Sequence, residues 1–254
     1  MGMEGTAFAS DFDGTLCTSN WETREQFFRD EDLEAVRRYQ EAGGLFGICT
    51  GRPLSSVIES LEGLLELDFY IVTTGAQVLD HDLNVLWERT IPRGVAQSIF
   101  DRHASPSSVV LAVTEREFVS VRDEMGMGLR VVPSIDDVRG KLLGVSVECR
   151  GDQDAARAVC ADINERFACD VEAFQNLGSV DVVPSGCSKG EGVRIVQRAL
   201  GIETMAGAGD SYNDLPLLSA ADVSYTFASS PAVVRDAANV VVNTLEEAML
   251  HFMR

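Results

Sequence analysis

Apolar and polar positions along this chain fall into two rhythms. Ala7–Ser10 is a short apolar run that predicts a buried strand, and Leu45–Cys49 and Phe69–Val72 repeat it. Between them, Leu33, Val36 and Tyr39 recur at helical spacing over 32–42, stopped by Gly43-Gly44. A second helical stripe, Leu54, Val57, Ile58, Leu61 and Leu65, follows Pro53, which suits the first turn of a helix. Strand–helix–strand–helix–strand at this spacing predicts a parallel, doubly wound sheet.

The rhythm changes after Gly75. Val78-Leu79 and Val85–Trp87 flank a polar turn and predict a hairpin, and strands are expected at 109–113, 118–121, 142–148, 171–174 and 180–183. One amphipathic helix, 154–167, carries Ala156, Val159, Cys160, Ile163 and Phe167 on one face. From Ser188 the first rhythm resumes, with helices at 193–200, 215–220, 232–238 and 245–253 alternating with strands at 204–208, 223–227 and 240–242. The predicted class is α/β: a doubly wound, Rossmann-like parallel core over 1–79 and 185–254, interrupted by an inserted α+β cap over 80–184.

Composition narrows the setting. Hydrophobic residues are 45% of 254, enough for a sizeable core. Lys+Arg 21 against Asp+Glu 40 gives a net charge of −19, which repels nucleic acid and anionic membrane. It repels phosphate at long range too, so any phosphate site must be locally positive or hold a metal. The six cysteines form no C-x-x-C pair, and a reduced, cytoplasmic chain with buried thiols is expected.

The polar residues at the predicted strand ends carry the chemistry. Asp11-Phe12-Asp13-Gly14-Thr15 leaves the first strand, Thr50-Gly51-Arg52 the second, and Gly209-Asp210-Ser211-Tyr212-Asn213-Asp214 a late one. Lys189 opens a helix after Pro184-Ser185-Gly186. Ligands of open α/β sheets bind beyond the carboxyl ends of the strands, so these groups share one end of the sheet. Paired carboxylates, a lysine and hydroxyls suit phosphoryl transfer assisted by a hard divalent cation. An acidic strand end followed by an ordinary Asp-Gly turn explains the first motif equally well when it is taken alone.

The four motifs, in this order and spacing, resemble those of the haloacid dehalogenase superfamily, in its Cof-like phosphatase branch with a large inserted cap. The resemblance implies that Asp11 is a nucleophile forming an aspartyl-phosphate and that Asp13 is the general acid and then the base. It implies that Thr50 binds a phosphoryl oxygen and that Lys189 pairs with Asp11 and the phosphoryl group. Mg²⁺ would be held by Asp11, Asp210 and the backbone carbonyl of Asp13, with Asn213 and Asp214 orienting this shell. Gly14, Gly51 and Arg52 would lie against the substrate. The implied activity is hydrolysis of a small phosphorylated metabolite such as a sugar phosphate. A phosphotransferase or mutase on the same fold, and a catalytically silent metabolite-binding protein, are the alternatives. Dehalogenation and glycosyl transfer suit the fold less well, because Asp13 answers the need of a leaving alkoxide for a proton.

Some positions depart from the family or have two readings. Thr74-Gly75-Ala76 stands where the family often has Asn-Gly-Ala. The stretch 16–30, with Trp21, Phe27 and Phe28, is either a flap over the site or a surface loop with its own apolar cluster. Arg52 either touches substrate or forms a surface ion pair. Cys17 is expected to be a passive thiol, His81, His103 and His251 lack metal-ligand spacing, and Trp87 and Phe100 are expected in the core of the cap.

Overall fold

A computed structural model describes residues 2–19, 25–121 and 129–254. Among these residues eight strands form the main sheet, in the order 240–242, 223–227, 204–208, 6–10, 45–49, 69–72, 77–80 and 85–88. The first six are mutually parallel, and the last two add antiparallel at the edge. Chain order reverses on either side of Thr6–Ser10, and open α/β sheets bind ligands beyond the carboxyl ends of the strands at such a switch point.

Both faces of this sheet are covered, as a parallel sheet requires. Phe8 points to one side, where Phe46, Tyr225, Tyr39 and Phe252 surround it with ring centroids 5.8–6.4 Å away. The helices Asp30–Glu41 and Leu245–Phe252 close that face. Ala7 and Ala9 point to the other, against Val193 and Val196 of the helix Lys189–Leu200 and Leu217 of Leu215–Ala220. Alternation along a single five-residue strand thus serves two cores.

Among the described residues the second sheet has six strands, ordered 130–132, 118–121, 109–114, 142–148, 179–184 and 171–176. Its pairs are antiparallel except 130–132 with 118–121. The helices Arg93–His103 and Gln153–Arg166 pack on it, and Phe100 lies in its core as expected.

Two expectations are corrected. The hairpin Gln77–Glu88 extends the main sheet, so the break of rhythm near residue 80 falls within that sheet and the second sheet's helices begin only after Glu88. Trp87 accordingly packs against the main sheet's second core, with Ile71, Val78 and Val193, and not inside the insertion. The helix Arg93–His103 and the short pair Cys17–Ser19/Gln26–Phe28 are elements the pattern did not predict. Trp21, from the stretch read as a flap or loop, lies outside the described residues. No helix among the described residues is long and apolar enough to cross a membrane. Cys17, Cys49, Cys149 and Cys187 are buried, Cys169 is exposed, and all six are free thiols.

Candidate active site

Lys189 is the centre of the site and is wholly shielded from solvent. It opens the helix Lys189–Leu200, whose N-cap Ser188 accepts a hydrogen bond from the Glu191 amide. Its ammonium donates to Asp11 Oδ1 and Asp214 Oδ1, each at 2.6 Å. Burial alone would lower the lysine's pKa, but the two carboxylates outweigh it and hold it well above its ordinary value.

Asp214 spends its remaining oxygen on the backbone. Oδ2 accepts from the amides of Asp210 (3.0 Å) and Ser211 (2.9 Å), which ties the loop after the strand Thr204–Ala208 into one shape. Both of its oxygens are therefore committed, whereas Asp11 gives Lys189 only Oδ1. Burial, then the Asp214 charge, push the Asp11 carboxyl well above the usual range, with Lys189 opposing them. The same two causes bring Asp210 to about 7.

Asp11, Asp210 and Asp214 each present a carboxylate oxygen within 4.8 Å of the others, an acidic cluster able to hold a metal ion. The donors are all hard oxygens, which fits Mg²⁺ and not a thiolate- or imidazole-seeking ion. Because Asp214 is already committed, Asp11 and Asp210 are the side chains free to ligate. Gly14 fits this arrangement. Its φ of +84° suits glycine, and a Cβ built there would lie 2.5 Å from Asp210 Oδ2, in the space the cluster needs.

Asp13 points elsewhere. Arg52 grips it with both arms, Nε to Oδ2 at 2.7 Å and Nη2 to Oδ1 at 2.6 Å, and Ser19 Oγ donates at 2.7 Å. The guanidinium also lies 4.5 Å from the centroid of the Phe12 ring. Arg52 thus forms an ion pair with a residue of the site and also lines the cavity. Thr50 is buried, and its Oγ1 accepts from the Arg52 amide at 3.2 Å.

The second sheet contributes a residue that the sequence reading did not single out. Asp181 accepts from Asn213 Nδ2 (2.9 Å) and Thr74 Oγ1 (3.2 Å), joining its strand to two loops of the main sheet. A Cβ on Gly51 would approach Asp181 Oδ2 to 2.9 Å, so glycine there leaves room for this crossing. The available signal was an acidic residue inside the apolar run Val180–Val183, where burial demands a partner. Asp11, Asp13, Thr50, Gly51, Arg52, Asp181 and Asn213 all line one cavity of about 470 Å³ between the sheets. Of the other expected site residues, Lys189 and Asp214 lie sealed behind it, and Asp210 stands beside Asp11 and Thr15. His81, His103 and His251 pair with Leu67 O, Asp162 and the Tyr225 hydroxyl, respectively, away from this group.

The profile of one family, haloacid dehalogenase-like hydrolase, matches residues 8–252. The chain belongs to this family. It is 24% identical over 243 residues to the 5-amino-6-(5-phospho-D-ribitylamino)uracil phosphatase of Bacillus subtilis, covering 93% of this chain and 89% of that protein. It is 25% identical over 240 residues to the phosphoglycolate phosphatase of Halorubrum lacusprofundi, covering 92% and 89%. Among solved structures, a haloacid dehalogenase subclass IIB sugar phosphatase superposes with a TM-score of 0.81 at 20% identity, over 98% of this chain and 99% of that one. A protein from Streptococcus mutans superposes at 0.82 with 17% identity, over 97% and 98%. These likenesses agree with a Rossmann-like core carrying a second α+β unit.

Proposed function

We propose that this hydrolase is a Mg²⁺-dependent phosphomonoesterase acting on a small phosphorylated metabolite through an aspartyl-phosphate. The observation that carries the reading is the division of Asp11. Lys189 takes Oδ1, while Asp11 lines the cavity and stands beside Asp210 in the acidic cluster. Oδ2 attacks phosphorus, the P–O bond to the alcohol breaks, and Asp13 delivers a proton to the departing oxygen. Water then attacks the same phosphorus and gives its proton to Asp13, the bond to Asp11 breaks, and inorganic phosphate leaves.

The other residues serve these two displacements. Thr50 donates to a phosphoryl oxygen, and Lys189 offsets charge on Asp11 and the phosphoryl group. Gly51 leaves the cavity open beside Asp181, and Gly14 leaves room for Asp210. A divalent ion held by Asp11, Asp210 and the Asp13 carbonyl would supply the positive charge that brings a carboxylate and a phosphate dianion together. Asn213 and Asp214 orient this shell. The unit that follows the hairpin acts as the cap and excludes bulk water.

Phosphate release from p-nitrophenyl phosphate with Mg²⁺, compared between the natural protein and Asp11→Asn, tests the reading. Turnover in the first and none in a folded Asp11→Asn protein is expected. Equal rates would remove Asp11 from the reaction.

A further inference from the structure

One carboxylate of the second sheet reaches the first. Ser146 stands opposite Asp181 and Glu148 opposite Ser179 across paired strands, so all four share a face, and all four line the cavity. Glu148 accepts from Ser146 Oγ at 3.0 Å, within its own sheet. Asp181 instead accepts from Asn213 Nδ2 and Thr74 Oγ1, which follow two strands of the main sheet. Resting on the phosphatase reading above, we propose that Asp181 is a positioning residue for phosphoryl transfer. It sets Thr50 and Asn213 in place without touching the reacting atoms. The phosphoryl site is therefore complete only while the second sheet is seated on the first.

Two routes lead from Asp181. The first runs through Thr74. Its amide donates to Thr50 O, and the Thr73 amide to Arg52 O, each at 2.9 Å, so the loops 50–52 and 73–75 form one unit. Both threonines of this unit sit in the left-handed region, a conformation that persists only where surrounding contacts fix it. The bond from Thr74 to Asp181 is such a contact, and it reaches Thr50 through one further link.

The second route runs through Asn213, which is 2% exposed and lines the cavity. An ionised carboxylate only accepts, so the amide must turn Nδ2 toward Asp181. That choice fixes the other end. Asn213 Oδ1 is buried without a partner, an acceptor held ready for a water or a ligand donor.

p-Nitrophenyl phosphate and glucose 6-phosphate share the phosphoryl group and differ in the alcohol. With Mg²⁺ and the full chain, Asp181→Ala should lower kcat about ten- to a hundredfold for both. Both donors reach the same oxygen, Oδ2, so Asp181→Asn can satisfy them with its one carbonyl and should recover most of the loss. The Kd of inorganic phosphate with Mg²⁺, read by calorimetry, should rise in Asp181→Ala and fall back in Asp181→Asn. Should Asp181→Ala not fold, Asp181→Leu, of similar shape and without an acceptor, takes its place. A loss confined to KM for glucose 6-phosphate would make Asp181 a substrate contact, and an unchanged kcat would remove it from the reaction. Either result overturns the assignment. Absence of turnover by the natural protein would instead remove the phosphatase reading, and the phosphate Kd would then judge Asp181 alone, an unchanged value in Asp181→Ala overturning its role.

Discussion

Lys189 and Asp214 form an ion pair in which neither side chain is exposed to solvent, at 2.6 Å, and the same lysine reaches Asp11. One cation therefore compensates two buried carboxylates. Lys189→Met would leave both uncompensated. Removing one partner of a buried pair typically costs about 3–5 kcal/mol. The variant should unfold at a much lower urea concentration than the natural protein, and a midpoint unchanged by the substitution would mean the carboxylates are compensated by other groups.

Gly14 joins two demands, a left-handed backbone and empty space beside Asp210. Gly14→Ala should lose about 1 kcal/mol or more from backbone strain. It should also raise the Mg²⁺ concentration needed for half-maximal turnover, because the new methyl group displaces Asp210. Denaturation and a metal titration read the two effects separately.

Thr73 and Thr74 have φ of +47° and +49°, a conformation that β-branched residues rarely adopt. Asn accepts it more readily and still offers a donor to Asp181. Thr74→Asn should therefore stabilise the fold by about 0.5–1 kcal/mol. Thr74→Val keeps the strain, loses the donor, and should destabilise it. Urea midpoints of the two variants moving in the same direction would contradict this account.

Asp13 is given the proton-transfer role, so its value depends on the leaving group. Asp13→Asn should slow phosphorylation of Asp11 by a sugar phosphate by about 10²–10⁴-fold, and by an aryl phosphate far less. Hydrolysis of the phosphoenzyme should slow with both, giving a burst with the aryl ester. Rapid-quench measurements separate the steps, and equal losses in the first would leave Asp13 only its partnership with Arg52.

Much of this fold was legible because a parallel sheet covered on both faces writes itself as uninterrupted apolar runs. Leu45–Cys49, Phe69–Val72 and Thr204–Ala208 are found at the predicted positions. The helix Arg93–His103 was not foreseen, because Gly94 and Gln97 dilute a stripe made of Val95, Ala96, Ile99 and Phe100. The strands Cys17–Ser19 and Gln26–Phe28 are three residues each, too short for alternation to register. At the site, local motifs brought Asp11, Lys189 and Asp214 into view. Asp181 and Glu148 escaped notice because their significance arises only when a second sheet folds over the first. The grip of Arg52 on Asp13 likewise depends on two loops that are neighbours in space alone.

The two tethers between the sheets are not independent strings. Arg89, just after the hairpin, donates through Nη1 to the carbonyl of Ser185, just after the last strand of the second sheet, at 2.8 Å. Alongside, the Ile91 amide donates to Leu142 O, and the Arg89 amide to Ala76 O. Two ropes sewn together at one point behave as a door on a single pin. If the second unit moves as a cap, a swing about that line keeps the seam, whereas sliding or twisting breaks it. The polar face carrying Glu148 and Asp181 would then come back to Asp11 in the same register on every closure.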